Sequence, residues 1–402
     1  MRRFPIAVLA SVVVLVDTSF YGAITPLLPA FTDEFGLSKT GAGLLAAAYP
    51  AGTFLGGLPG GWMAARIGAR ETILAGLGLM TLASVAFAFG DSIVLLDLAR
   101  ALQGVGGAAS WSGAMAWVAI SAPPERRGQL IGTVMGTAIA GALLGPVLGV
   151  VADAVGHAAV FCGVGVVGLG LIAWTLATPV AHGAALGERG SPREDVRALR
   201  RALGDGDVRT ALALLLLPGL LFGTLSVLGP LRLSALGAGA AAIGAVWLVA
   251  AGLEALVSPI AGRVSDRRGH VVPLLGAMLG GCVVFALLPW PNGAVLFGAL
   301  VVVGSPVIGL LWAPTMALLS DGADAIGLEQ GLAFGLMNLF WAAGQTIGDL
   351  GGAQLGAVAG DELPYLLLSA LCALAFLALR RRARRPGERR AGVAAVGERP
   401  AA

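Results

Sequence analysis

The sequence predicts an all-α integral membrane protein, with twelve transmembrane helices in two pseudo-symmetric six-helix bundles. Three observations lead there. First, of 402 residues 57% are hydrophobic and only 12% are charged, whereas soluble domains carry about 25% charged residues. Half that fraction cannot cover a water-soluble globule of this size. A soluble enzyme, a nucleic-acid binder and disorder over most of the chain are all excluded. The 62 glycines and three tyrosines fit helices packed closely in lipid. Second, apolar segments of about 20 residues, enough to cross the hydrocarbon core, recur throughout. Third, the two halves of the chain repeat.

Taken in order, the predicted spans lie near 5–28, 41–61, 72–90, 93–120, 128–152 and 156–178, then 210–234, 239–262, 271–290, 293–320, 328–355 and 363–380. Short polar or Gly/Pro breaks separate them. Met1-Arg2-Arg3 followed by Ile6–Val16 has the look of a secretory signal. The apolar run continues through Phe20-Tyr21 to Leu28 without a small-residue cleavage site, so it reads as a retained first span. The predicted organisation is a bundle over 1–178, a charged linker over 179–209 with a short surface helix at Ser191–Leu203, a second bundle over 210–380, and a disordered arginine-rich tail over 381–402.

Basic residues fix the orientation. With the N-terminus inside, 23 of the 26 lie on one side, leaving Lys39 and Arg232 outside and Arg100 within a span. Both termini are therefore expected in the cytoplasm, and the arginine-heavy composition suggests the cytoplasmic membrane of a GC-rich bacterium. Cys162, Cys282 and Cys372, like His157, His182 and His270, are scattered without metal-ligand or disulfide spacing. No metal and no cofactor is expected.

The repeat has an offset of about 201 to 203 residues. Gly61-Trp62-Met63-Ala64-Ala65-Arg66-Ile67-Gly68, with Arg70 just beyond, follows span two. Gly262-Arg263-Val264-Ser265-Asp266-Arg267-Arg268-Gly269 follows span eight. Gly132, Gly141 and Gly145 of span five match Gly335, Gly344 and Gly348 of span eleven at identical spacing. With these motifs the chain resembles the major facilitator superfamily over nearly its full length, and within it the twelve-helix drug:proton antiporters. The loops after spans two and eight look like its G-x-x-x-D-R-x-G signature, and Arg100-Ala101-Leu102-Gln103-Gly104 looks like its R-x-x-Q-G motif. Gly141, Gly145, Pro146 and Gly149 resemble its span-five antiporter motif. Asp17, followed by Pro26-Leu27-Leu28-Pro29, is similar to the first helix of the drug antiporters. Ala65 departs from the pattern, standing where the first loop's acid is expected, while Asp266 keeps it in the second; in the family that acid latches the cytoplasmic gate. Val150 replaces the glycine that ends the span-five motif.

Ionisable groups in a span cost about 2.5–3.5 kcal/mol at mid-helix on insertion scales, so each needs a reason. Asp17 stands roughly 18 Å along span one at about 1.5 Å per residue, near the midplane. It is either a proton or cation site or a structural cap, with Tyr21 one turn on. Arg100, three residues after Asp97, makes a pair on one helix face or, as the resemblance implies, tunes proton release from nearby acids; Gln103 continues that face. Glu254 faces a cavity or pairs with an arginine such as Arg263. Asn338, Trp341, Gln345 and Asp349 form one polar stripe that must face protein or water. The glycine ladders have close helix packing as their plainer reading, and Pro146 is expected to bend span five. Phe20, Tyr49, Trp111, Trp312 and Phe340 line a cavity or lie in interfacial belts.

The proton-coupling candidates are thus Asp17, Arg100, Glu254 and Asp349. Four intramembrane acids against one arginine favour a neutral or cationic substrate. No phosphate-binding loop is present, so a proton gradient is the expected energy source. These features predict a monomeric, proton-coupled exporter of a small amphipathic compound (a drug or secondary metabolite), working by alternating access and meeting protons, substrate and lipid but no nucleic acid. The alternatives are a proton-coupled importer of a nutrient or siderophore-like molecule, and a membrane sensor that transports nothing. A membrane enzyme would need a nucleophile–base or metal constellation, which is not found.

Overall fold

The computed structural model describes residues 4–122, 127–179, 192–328 and 330–383. Arg2, Arg3, Arg126, most of the predicted linker and the tail from 384 onward lie outside the described residues. Fourteen helices follow one another: α1 (Phe4–Glu34), α2 (Lys39–Arg66), α3 (Ala69–Ala88), α4 (Ile93–Ser121), α5 (Arg127–Val155), α6 (His157–Ala177), α7 (Pro192–Gly204), α8 (Gly206–Ala235), α9 (Ala240–Arg268), α10 (Val271–Leu287), α11 (Ala294–Gly309), α12 (Trp312–Ala325), α13 (Gln330–Ala359) and α14 (Glu362–Ala383). Nine segments among the described residues are long and apolar enough to cross a membrane, one of them joining α11 and α12. The shorter apolar α10 and the glycine-rich α2 and α13 complete twelve spans.

One difference from the sequence reading stands out. The tenth span is broken at Leu310–Leu311. Pro314 has no N–H to return to the Leu310 carbonyl, and Gly309 and Pro306 weaken the turn before it. α5 is one continuous helix with Pro146 inside it. α7 matches the predicted surface helix to within a residue, and Ala202 on its inner side is buried against Val208 and Leu212 of α8.

The halves pack alike. α1 lies on α5 as α8 lies on α13, α2 on α4 as α9 on α11, and α3 on α6 as α10 on α14. The repeat persists at the level of single atoms. A side chain at Gly141 would strike the Leu15 carbonyl oxygen, and one at Gly344 would strike that of Leu216, 201 residues further on. Gly145 meets Gly22 and Ser19 of α1, Gly149 meets Ala23 and Pro26, and Gly348 meets Leu220 of α8. These glycines bring backbones into contact, as the packing reading of the ladders requires. Gly68 and Gly269, equivalent in the two signature loops, both adopt left-handed backbone (φ 108° and 78°) that a side chain would strain.

Close approach makes one position intolerant. A side chain at Gly104 of α4 would run into the Tyr49 carbonyl and the Thr53 amide of α2. Gly104→Val is expected to cost about 3 kcal/mol, the upper end for overpacking. Gly61→Ala, with open space around it, should change stability by less than about 0.5 kcal/mol. Thermal unfolding in detergent micelles measures both.

The core shows how the halves meet. At the face opposite the chain termini (the distal face), one apolar cluster joins Leu28, Leu45 and Phe87 of the first half to Val227 and Ala353 of the second. At the face carrying the termini (the terminal face) there are two separate clusters, one around Leu9, Ile73 and Trp117, the other around Leu212, Leu319 and Met337. Among the described residues, the apolar cluster shared by both halves thus lies at the distal face, and the clusters at the terminal face each belong to one half.

Candidate functional site

Halfway along α1, Asp17 is 8% exposed and accepts a 2.5 Å hydrogen bond from the Tyr49 hydroxyl of α2. Gly107 of α4 leaves room for this pair, since a side chain there would collide with both groups. The Tyr49 ring carries Arg100 over its face, 5.0 Å from guanidinium carbon to ring centroid, a cation–π contact. Arg100 is fully buried. It donates to the Phe20 and Tyr21 carbonyls of α1 (3.3 and 3.4 Å) and to Gln103 Oε1 (3.1 Å). Gln103 in turn donates to Ser84 of α3.

The second half supplies the opposing wall. Asp349 of α13 is 1% exposed and accepts from Ser226 of α8 at 2.8 Å and from Gln345 at 3.4 Å, while its Oδ2 is buried without a partner. Tyr21 packs against Tyr49 in its own half and edge-on against Trp341 of α13, centroids 5.3 and 6.0 Å apart; Trp341 meets Trp312 of α12. Arg100 lies within electrostatic range of both Asp17 and Asp349. No ion pair within 4.0 Å joins it to either among the described residues. One buried cation, held by neutral hydrogen bonds, therefore interacts electrostatically with a carboxyl group of each half.

Not every expected residue joins this centre. Of the two readings of Arg100, the pair with Asp97 does not form; Arg100 turns instead to α1 and Gln103, and Asp97 Oδ1 is buried without a partner. Glu254 belongs to a separate locus in the second half, where Ser305 of α11 donates to it at 3.1 Å beside Gly309, next to the break in span ten. Its alternative partner Arg263 bonds its own helix at Pro259. Phe20 is core, packed on Phe161, and Trp111 packs in the terminal-face cluster of the first half. Asn338 is half-buried on the α13 stripe. Ser84, Gly107, Ser226, Ser305 and Gly309 were not anticipated.

The signature-loop residues sit at the terminal face. Arg66 is exposed and stacks on Trp62, 5.7 Å to the ring centroid. Arg70 donates to the last carbonyls of α6, Thr175 and Leu176, and Arg267 is exposed. The Asp266 side chain lies outside the described residues. Nearby, His270 bridges Ser265 of α9 (2.6 Å) and Asp321 of α12 (3.1 Å), a link between helices that the scattered histidines gave no hint of. At the distal face Lys39 pairs with Asp361 at 2.5 Å, and Thr40 bonds Gln354 at 2.8 Å, fastening α2 to the end of α13.

Twelve spans in two matched bundles, with a buried polar centre, define a multi-pass membrane transporter. The family model of the Major Facilitator Superfamily matches residues 9–328, and the chain belongs to that superfamily, whose members carry small molecules across membranes. It is 34% identical over 126 residues to the MFS-type transporter ppzB of Metarhizium rileyi, covering 29% of this chain and 26% of that one. It is 29% identical over 126 residues to the class C tetracycline resistance protein of Escherichia coli, covering 31% of each. These matches span about a quarter to a third of the relatives' lengths. Among solved structures it resembles a D-xylose-proton symporter with TM-score 0.75 at 17% identity, covering 94% of this chain and 97% of that one, a likeness of fold.

Proposed function

We propose that this transporter is a proton-coupled antiporter that exports a small amphipathic neutral or cationic compound. The observation carrying the proposal is the pair of buried carboxyl groups, Asp17 and Asp349, contributed by opposite halves around one buried arginine. A carboxyl in such a place is costly when charged and alone, so it favours having either a proton or a cationic ligand. The Tyr21, Tyr49, Trp341 and Trp312 rings offer an aromatic surface suited to a flat or cationic molecule. Exchange follows: a proton arriving from the distal side displaces the compound, and its loss at the terminal side readies the site. The partial likeness to a tetracycline resistance protein supports export, and the terminal-face excess of arginine supports placing that face in the cytoplasm.

Purified protein in liposomes holding an internal pH dye tests the reading. A gradient of an amphipathic cation such as ethidium should drive protons the opposite way. Protons moving with the compound would make it a symporter.

Alternating access also requires the distal contacts between the halves to open. With native cysteines replaced, a short thiol crosslinker bridging Thr40→Cys and Gln354→Cys should reduce transport to the protein-free level, and cleaving the bridge should restore it. Transport persisting through the bridge would mean that α2 and α13 need not part.

A further inference from the structure

Away from the polar centre, a cavity of about 890 Å³ opens between α8 and α14 at the terminal face. Its walls are almost wholly aliphatic, with Leu216, Leu220, Leu371 and Ala378 among them, and Leu203 of α7 closes one end. Its polar end carries Arg209, Thr210 and Arg382. Arg382 is held in place: it pairs with Asp207 at 2.6 Å and bonds the Gly206 carbonyl and the Thr210 hydroxyl. The Arg209 side chain is exposed and makes no hydrogen bond or ion pair with a described residue. Asp207, at this end, is engaged by Arg382.

We infer that this groove binds an anionic phospholipid of the leaflet at the terminal face, acyl chains along the Leu/Ala walls and headgroup phosphate on Arg209. Three features select that occupant. The walls are apolar and belong to α8 and α14, both long and apolar enough to cross a membrane, as acyl chains require. The charge sits at one end, at headgroup level, where a basic pocket between transmembrane helices attracts anionic headgroups. The chain's own next segment, with Arg384, Arg385, Arg389 and Arg390, has the wrong charge to settle on Arg209. A guanidinium also matches phosphate in geometry as well as charge.

Native mass spectrometry of the full-length protein in detergent, with phosphatidylglycerol or phosphatidylcholine of the same acyl composition, tests this. The wild type should retain phosphatidylglycerol preferentially, even against excess inorganic phosphate. Arg209→Gln should lower its retention about fivefold, the effect of one arginine near an anionic surface. Arg209→Lys should keep most of it, and Ala378→Trp, which fills the groove, should abolish retention. Arg209 is exposed, so its variants leave the fold intact, and equal melting temperatures check this. Equal retention of both lipids, displacement by phosphate, or indifference to Arg209→Gln would overturn the inference. So would a loss caused by replacing Arg384, Arg385, Arg389 and Arg390 with glutamine while Arg209 is kept, because the tail would then be the binding element.

Discussion

Arg100→Met is expected to destabilise the protein by about 3–5 kcal/mol, the cost of breaking a buried charged network from one side. The side chain is fully buried, so solvent cannot replace what it supplies. Its removal strips donors from the Phe20 and Tyr21 carbonyls and from Gln103 and takes from Asp17 and Asp349 a cation that acts on both. Lysine restores the charge but not the fork. A single ammonium cannot span two α1 carbonyls and a glutamine at once while lying over the Tyr49 ring. Arg100→Lys should therefore fall between wild type and Arg100→Met in thermal unfolding. A methionine variant as stable as wild type would show that Arg100 does not hold α1, α2 and α4 together.

Asp17→Asn should have the opposite profile: a preserved fold and an abolished proton flux. Asparagine keeps an oxygen to accept from Tyr49 in the same space beside Gly107, so stability should change by no more than about 1 kcal/mol. It cannot exchange a proton, so compound-driven proton movement in liposomes should drop to the protein-free baseline. Asp97→Asn, at a carboxyl outside the centre, should leave that movement intact. Undiminished proton flux in Asp17→Asn would move the coupling role to Asp349 or Glu254.

Much of the architecture was legible because a bilayer imposes a blunt requirement. Runs of about twenty apolar residues stand out for nine of the spans, and the predicted boundaries fall within six residues of the helix ends. The break in span ten was visible only in hindsight: Pro306, Gly309 and Pro314 all stand in the sequence, but apolarity runs straight through them. Within the site, Asp17 and Asp349 were legible because a carboxyl inside an apolar run needs a reason wherever it points. Partners were another matter. Asp97 and Gln103 both stand three residues from Arg100, on either side, so spacing could not choose between them; the structure chooses Gln103. Tyr49 reaches Asp17 across 32 residues and Ser226 reaches Asp349 across 123. No local periodicity encodes such contacts, which depend on how glycine ladders set the distance between helices.

The central claim is that compound and proton compete for the same buried carboxyl. Proton release on binding tests it without any membrane. Ethidium, or another amphipathic cation that binds, is added to the purified protein in weakly buffered detergent solution, and the pH change is recorded. The account predicts that binding expels protons from the wild type and expels none from Asp17→Asn, even where the mutant still binds. Binding to the wild type with no proton released would contradict it.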